Sequence, residues 1–544
     1  MPITKNHKAF RWAALMPVDA NNVLLEQAFA RFLVLVRTKG RPITSTTKDT
    51  LYPENLVEIV KSDAANFQGV SGDSQRERLI EHWITSDFAT CIRAGMGRGG
   101  KERVASLKPI HMSTIKLLDP RIRSQDRDLS QFLYNVFRES DLIIGANSLL
   151  LPYLTKGTVP FGDYDLTFDE NNADKLDVET LFLLRLLDQF NTDLPDNNPN
   201  RRVKPHVFLC PAQQQLIIND TARLLVYKDV IPRRELIQYL ISLFSFHAAL
   251  YCLRTFPLVL KIVEAKKFRC GKCKGTKPDT LHLLRECEHH PDIFVDLTNG
   301  QDKTCDELAK QKVAKHYGTM FRYFRAHYKL KKLDEFARVS RGSQYTGSVE
   351  EAIASFADKN LDGYFLTMLN DITRVEPDAE PDPEIKAIQD LKLDPLDAYV
   401  EVLYQKTFKS RSRNHKALMA SLCGLNREDG FLHGGRGKRR KYVLGNQLLE
   451  ILVQLAVVGV NRSGQFVTQP ITVANFVKWL RERYGILIDT TGEDNDSPDV
   501  ARALEVNYTA LKDRLRQLGF FTDLSDASIS QVIKPRFPIM SEII

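Results

Sequence analysis

Between Leu236 and Leu253 the chain runs for 18 residues (LIQYLISLFSFHAALYCL) without a formal charge. Such a segment has two ways to hide its side chains. It lies at the centre of a large helical domain, or it crosses a bilayer, for which this length is near the lower limit. Gln238, Ser242, Ser245 and His247 interrupt the run, and no second apolar stretch accompanies it. A buried helix is the expectation, with membrane association through 236–253 as an alternative reading.

The rest of the 544 residues fits that expectation. A hydrophobic share of 43% and a charged share of 26% exclude wholesale disorder, collagen-like repeats and a polytopic membrane protein. The length suggests three or four domains, and no repeat of fixed period is visible. Eight cysteines in so long a chain do not make a disulfide framework and point to a reducing compartment. Lys5, Lys8 and Arg11 precede only a short apolar run that Asp19 interrupts, so no signal peptide is read and a cytoplasmic location is expected. The fold class expected is mainly α and multidomain. It comprises a mostly helical N-terminal domain (1–204), a central helical domain (205–375) with a Cys-rich connector (270–305), an acidic Pro linker (376–384, EPDAEPDPE), a basic segment (385–445) and a small C-terminal α+β domain (446–544).

The connector carries a candidate structural zinc site. Cys270 and Cys273 form a Cys-x-x-Cys turn (FRCGKCKG), Cys287 follows, and His289 completes a tetrahedral set, with His290 or Cys305 as alternatives for the fourth ligand. A zinc-knuckle-like insertion with a closed, non-catalytic metal is the expectation.

Charge is distributed unevenly. Lys406–Lys441 holds eleven Lys/Arg and two acids, a surplus of nine, whereas the whole chain has a surplus of eight. Within it, FKSRSRNHK supplies Lys409, Arg411, Arg413 and Lys416, and GGRGKRRKY supplies Arg436, Lys438, Arg439, Arg440 and Lys441. Glycines allow close approach to phosphates and the cations displace counterions, so this segment is the first candidate for nucleic-acid contact. A second aromatic and basic stretch, Lys315–Lys332, has Phe321, Phe324 and Tyr328 at helical spacing and reads as core.

Toward the C-terminus, ITVANFVKWLRERYGILID reads as a helix capped by Thr472 and stopped at Gly485. An acidic loop and a second helix over 506–521 follow, then a β-like tail ending in Lys534, Pro535 and Arg536. This order resembles a winged helix-turn-helix domain. The resemblance implies that Asn507, Tyr508, Lys512 and Arg516 line a recognition helix and that Lys534 and Arg536 lie near the wing.

Enzyme signals are sparse. GMGRGGK (95–101) has the glycine and lysine spacing of a phosphate loop but lacks the Ser/Thr that would hold magnesium. Glu264-Ala265-Lys266, read as lying on a strand, is half of a metal-dependent nuclease pattern, with Asp220 or Asp229 as the missing carboxylate. Asp163, Asp165 and Asp169 lack the glycine of a calcium loop. No complete catalytic set emerges.

This build of helical body, cysteine-rich connector, basic loop and winged-helix-like tail resembles the accessory subunits of multigene bacterial antiviral defence systems such as Druantia. The resemblance implies a non-catalytic subunit that binds nucleic acid, DNA foremost, or serves as a scaffold beside a helicase or nuclease.

Overall fold

The computed structural model describes residues 3–43, 51–63, 65–69, 73–93, 102–119, 126–143, 148–161, 165–192, 195–268, 287, 289–374, 382–435, 439–461, 465–493, 497–520 and 531–539. At 60% helix and 7% strand the fold is mainly α, and among the described residues the strands occur only in two-stranded pairs. The chain forms two compact units. One, the N-terminal unit, comprises 23–206 and 217–244; the C-terminal unit comprises 1–22, 207–216 and 245–544.

In the N-terminal unit, helices α1 (Leu25–Arg37), α2 (Pro53–Ser62), α3 (Ser74–Trp83), α4 (Leu129–Phe137), α5 (Leu150–Leu154) and α6 (Val178–Asp188) surround two hairpins. The hairpins are β1 (Ala89–Arg93) with β2 (Glu102–Leu107), and β3 (Thr158–Phe161) with β4 (Asp165–Phe168). One core joins α1 to α4 through Phe29, Phe32 and Phe137, whose rings meet Phe244. A second gathers Leu56, Val60, Phe88, Val104 and Leu183, with Trp83 and Phe182 packed against it.

Helices α7 (Pro211–Leu225) and α8 (Arg233–Ala265) each contribute to both units. The uncharged run lies within α8, and every residue from Leu236 to Leu253 except Gln238 is buried. Its length and apolarity would allow a span, but 94% of the relevant window is inside the protein, so it is a core helix here.

The C-terminal unit is built on α9 (Lys303–Arg341), whose 39 residues reach about 58 Å. After it come α10 (Val349–Ala354), α11 (Leu361–Thr373), α12 (Pro383–Asp390), α13 (Pro395–Leu422), α14 (Asn446–Ala456), α15 (Val473–Tyr484) and α16 (Pro498–Gln517). α9 and α13 pack antiparallel, as the pairs Lys329–Asp397, Arg325–Glu401 and Phe321–Phe408 show. Residues 7–12 lie across both helices as a strap. Phe10 stacks on His327 at 4.0 Å between centroids, and Arg411 Nη2 donates to Lys8 O at 2.8 Å. Trp12 and Leu15 continue into the core.

The end of the chain is not folded apart from what precedes it. β11 (Ile486–Leu487) pairs in parallel with β5 (Ile293–Phe294), and Cys305 Sγ donates to Ala503 O at 3.2 Å. The cap and stop read from sequence are present. Thr472 Oγ1 accepts the Asn475 amide, and Gly485 sits at φ 77°. A Cβ at Gly485 would meet Pro291 O at 2.1 Å, so the tight β5–β11 approach admits only glycine. α16 starts at Pro498, eight residues earlier than expected, because Ser497 caps it and proline fits the first turn. Of the acidic Pro linker, Asp382–Glu384 are described. They begin α12, with Asp382 as its cap.

Candidate polyanion-binding surface

α13 carries its charges in two blocks. Asp397 and Glu401 occupy its first two turns and Lys406, Lys409, Arg413 and Lys416 its later ones. The acids face α9 and are matched there. Lys329 Nζ lies 2.6 Å from Asp397, and Arg325 holds Glu401 through two bonds of 2.6 and 2.9 Å. These bonds outweigh burial and keep the Glu401 carboxyl below its ordinary range. Farther along, Lys406 is bonded to Asp382 and Glu384. Lys409 and Arg413 are exposed with no carboxylate partner among the described residues. At three- and four-residue spacings, 406, 409, 413 and 416 fall on one stripe of the helix.

The second basic stretch meets this stripe. GGRGKRRKY follows β6 (Leu432–His433) and ends in its antiparallel partner β7 (Lys441–Tyr442). Arg440 Nη1 donates to Tyr317 Oη at 2.9 Å and approaches Lys416 O at 3.5 Å. Lys416 Nζ stands 5.1 Å from the Phe321 ring centroid and 5.7 Å from that of Tyr317. Two segments some twenty residues apart in sequence thus form one cationic surface with half-buried aromatics beneath it. Arg439 is exposed on it, and Arg436 and Lys438 lie outside the described residues. Sequence reasoning missed Lys315 as a surface cation. It and Arg322 are exposed on α9, two turns apart on the side away from the core.

Two members of the basic segment are structural instead. Lys441 is buried, its Nζ 2.6 Å from Asp296 and 2.7 Å from Asp306. Burial lowers its pKa, but the two carboxylates outweigh that and raise it. Arg411 is spent on the strap, with its guanidinium over the Phe10 ring. Both face inward, which a bare count of cations ignores.

The C-terminal candidates also divide. Asn507, expected on a recognition face, is fully buried and bonded to backbone groups of 295, 297 and 488. Lys512 lies over the Tyr508 ring, and Arg516 is paired with Asp513. Lys534 is exposed, while Arg536 contacts Glu450 and donates to Leu518 O at 2.6 Å. The hairpin of β8 (Val458–Val460) and β9 (Phe466–Thr468) precedes α15, and β10 (Ile471–Thr472) pairs with β12 (Val532–Ile533).

Of the zinc candidates, Cys270 and Cys273 lie outside the described residues; Cys287 is half-buried and His289 buried. Among the described residues no three His, Cys, Asp or Glu converge as a metal group. The nuclease half-pattern does not sit on a strand. Glu264 and Ala265 are in the exposed last turn of α8, and Lys266 follows at φ 50°. The glycine-rich 95–101 lies outside the described residues. The strands flanking it, β1 and β2, are antiparallel, whereas a phosphate loop runs from strand to helix.

The family described as methylation-associated defense system protein MAD7 matches residues 5–537. The chain belongs to this family. It is thus a component of a defence system, an association that the overall build suggested. No curated protein and no solved structure matches it.

Proposed function

We propose that this MAD7-family chain is a non-catalytic, nucleic-acid-binding subunit of its defence system, and that Lys409, Arg413, Lys416, Arg439 and Arg440 form the contact surface. The observation that carries this is the segregation on α13. α9 neutralises the acidic block, whereas Lys409 and Arg413 of the basic block are exposed with no carboxylate partner among the described residues. Such a surface attracts phosphates whatever their sequence, and the half-buried Tyr317 and Phe321 brace its cations. α16 offers less, since Asn507 is inside and Arg516 is paired. We place the winged-helix-like tail in a supporting role, and helicase or nuclease activity in partner subunits in the cytoplasm.

Binding of a labelled DNA duplex across a salt series tests this. The wild-type chain should lose affinity steeply as salt rises. K409A/R413A/K416A should bind more weakly and flatten the log–log slope by about 2 to 3, near 0.9 per lost phosphate contact. Unchanged affinity and slope in the triple variant would overturn the assignment.

A further inference from the structure

We propose that the N-terminal unit holds a separate anion-binding pocket, formed around Tyr153, Lys156, Lys175 and Arg233, that takes a small molecule bearing a phosphate monoester. The cavity has a volume of about 410 Å3, within the range of ligand pockets. Its walls come from the end of α5, the turn before α6, and the loop entering α8.

The charges around it do not balance. Four cations, Lys156, Lys175, Lys228 and Arg233, line the cavity with two carboxylates, Asp177 and Asp229. Asp229 contacts Lys228, and Asp177 is engaged as the cap of α6, accepting from Thr180 N at 2.8 Å and Oγ1 at 2.7 Å. Lys156 has no carboxylate partner among the described residues, and Lys175 bonds only to Asn172 Oδ1, at 3.0 Å. The net surplus of two positive charges matches a phosphate monoester dianion.

Arg233 is the built element. Its side chain is 6% exposed, yet its nearest carboxylate oxygen, on Asp177, is 3.9 Å away. The guanidinium lies 4.6 Å over the Tyr153 ring, and Nη1 donates to Tyr153 O at 2.7 Å. Nη2 has no hydrogen-bond partner among the described residues. A planar donor fork, stacked and oriented beforehand, suits phosphate oxygens. The lysine backbone is fixed as well. His111 Nδ1 accepts from Ser113 N at 3.1 Å, so its protonated Nε2 donates to Lys156 O at 3.1 Å. Lys156 and Lys175, both exposed, form the rim over the buried arginine.

Isothermal titration of the full chain with AMP, inorganic phosphate and adenosine tests the pocket. AMP and inorganic phosphate should bind and adenosine should not. The double variant K156A/K175A, at exposed positions, should bind AMP at least tenfold more weakly with an unchanged melting temperature in the absence of ligand. R233K, which keeps the charge but loses the fork, should also bind more weakly. Absence of AMP binding at millimolar concentration, binding of adenosine equal to that of AMP, or unaltered affinity in K156A/K175A overturns the proposal. Displacement of AMP by a short oligonucleotide assigns the pocket to nucleic-acid backbone instead and also overturns it. K409A/R413A/K416A should retain AMP binding, so this pocket and the α13 surface succeed or fail separately.

Discussion

Asn507 accepts the amide hydrogen of Leu297 on Oδ1 at 2.8 Å, across 210 residues of sequence. Its Nδ2 donates to Val295 O and Ile488 O, both at 3.0 Å. One amide therefore ties α16 to the ends of β5 and β11. Asn507→Ala would remove the side-chain partner of three backbone groups at a fully buried position. A loss of about 3 kcal/mol is expected, read from the urea midpoint. Asn507→Asp, which cannot donate to the two carbonyls, should be no better. Stability within about 0.5 kcal/mol of wild type in Asn507→Ala would show that the amide is not a staple.

Lys441 and its neighbours in the basic run should behave oppositely. Lys441→Met removes the partner of a fully buried Asp296, and breaking a buried pair from one side costs about 3–5 kcal/mol. Lys409→Ala and Arg413→Ala, at exposed positions, should change stability by no more than about 0.5 kcal/mol. Thermal melts of the three variants check the division, and equal melting temperatures would refute it.

Acid should weaken the C-terminal unit before its carboxylates titrate. Burial pushes His316 and His327 down to about 3, and His290 and His415 down to about 4. An unfolded histidine takes up its proton near pH 6.5, while these folded ones stay neutral until much lower pH. Between those values the unfolded chain binds more protons. The stability these groups permit is complete above pH about 6.5 and is lost as pH falls toward 3–4. From pH 6.5 to 5 each buried imidazole costs about 2 kcal/mol. Urea midpoints at pH 7 and pH 5 should differ markedly, and a flat profile would contradict neutral burial.

We further propose that Cys270, Cys273, Cys287 and His289 bind one zinc ion, a reading that rests on their spacing. Elemental analysis of purified protein should find about one equivalent, released on chelation with a fall in melting temperature. Metal content well below half an equivalent would remove the site.

Local signals were legible where a few neighbouring residues decide the outcome. The uncharged 236–253 run became a buried helix, and Thr472 and Gly485 bound α15 as a cap and a stop should. Facing was not legible where the deciding partner is remote. Asn507 looked like a surface residue of an amphipathic helix because β5, two hundred residues earlier, supplies the groups it satisfies. Lys441 looked like its neighbour Arg440, but one meets Asp296 and the other Tyr317, partners that lie far away in sequence. The basic surface was half legible. Its cations could be counted, whereas the cancellation of Asp397 and Glu401 by α9 required the packing.

The strap sets an order of assembly during synthesis. His7 Nδ1 meets Tyr399 Oη at 2.8 Å across 392 residues, and Phe10 is enclosed by rings from α9 and α13. At ordinary elongation rates residues 7–12 wait roughly 20 to 80 s for that cradle to emerge. Over that interval Phe10 and Trp12 are adhesive apolar side chains on a growing chain, while 23–206 is already complete enough to fold. A ribosome-bound chaperone that shields this short segment would have more effect on the yield of this protein than one acting on its longest helix.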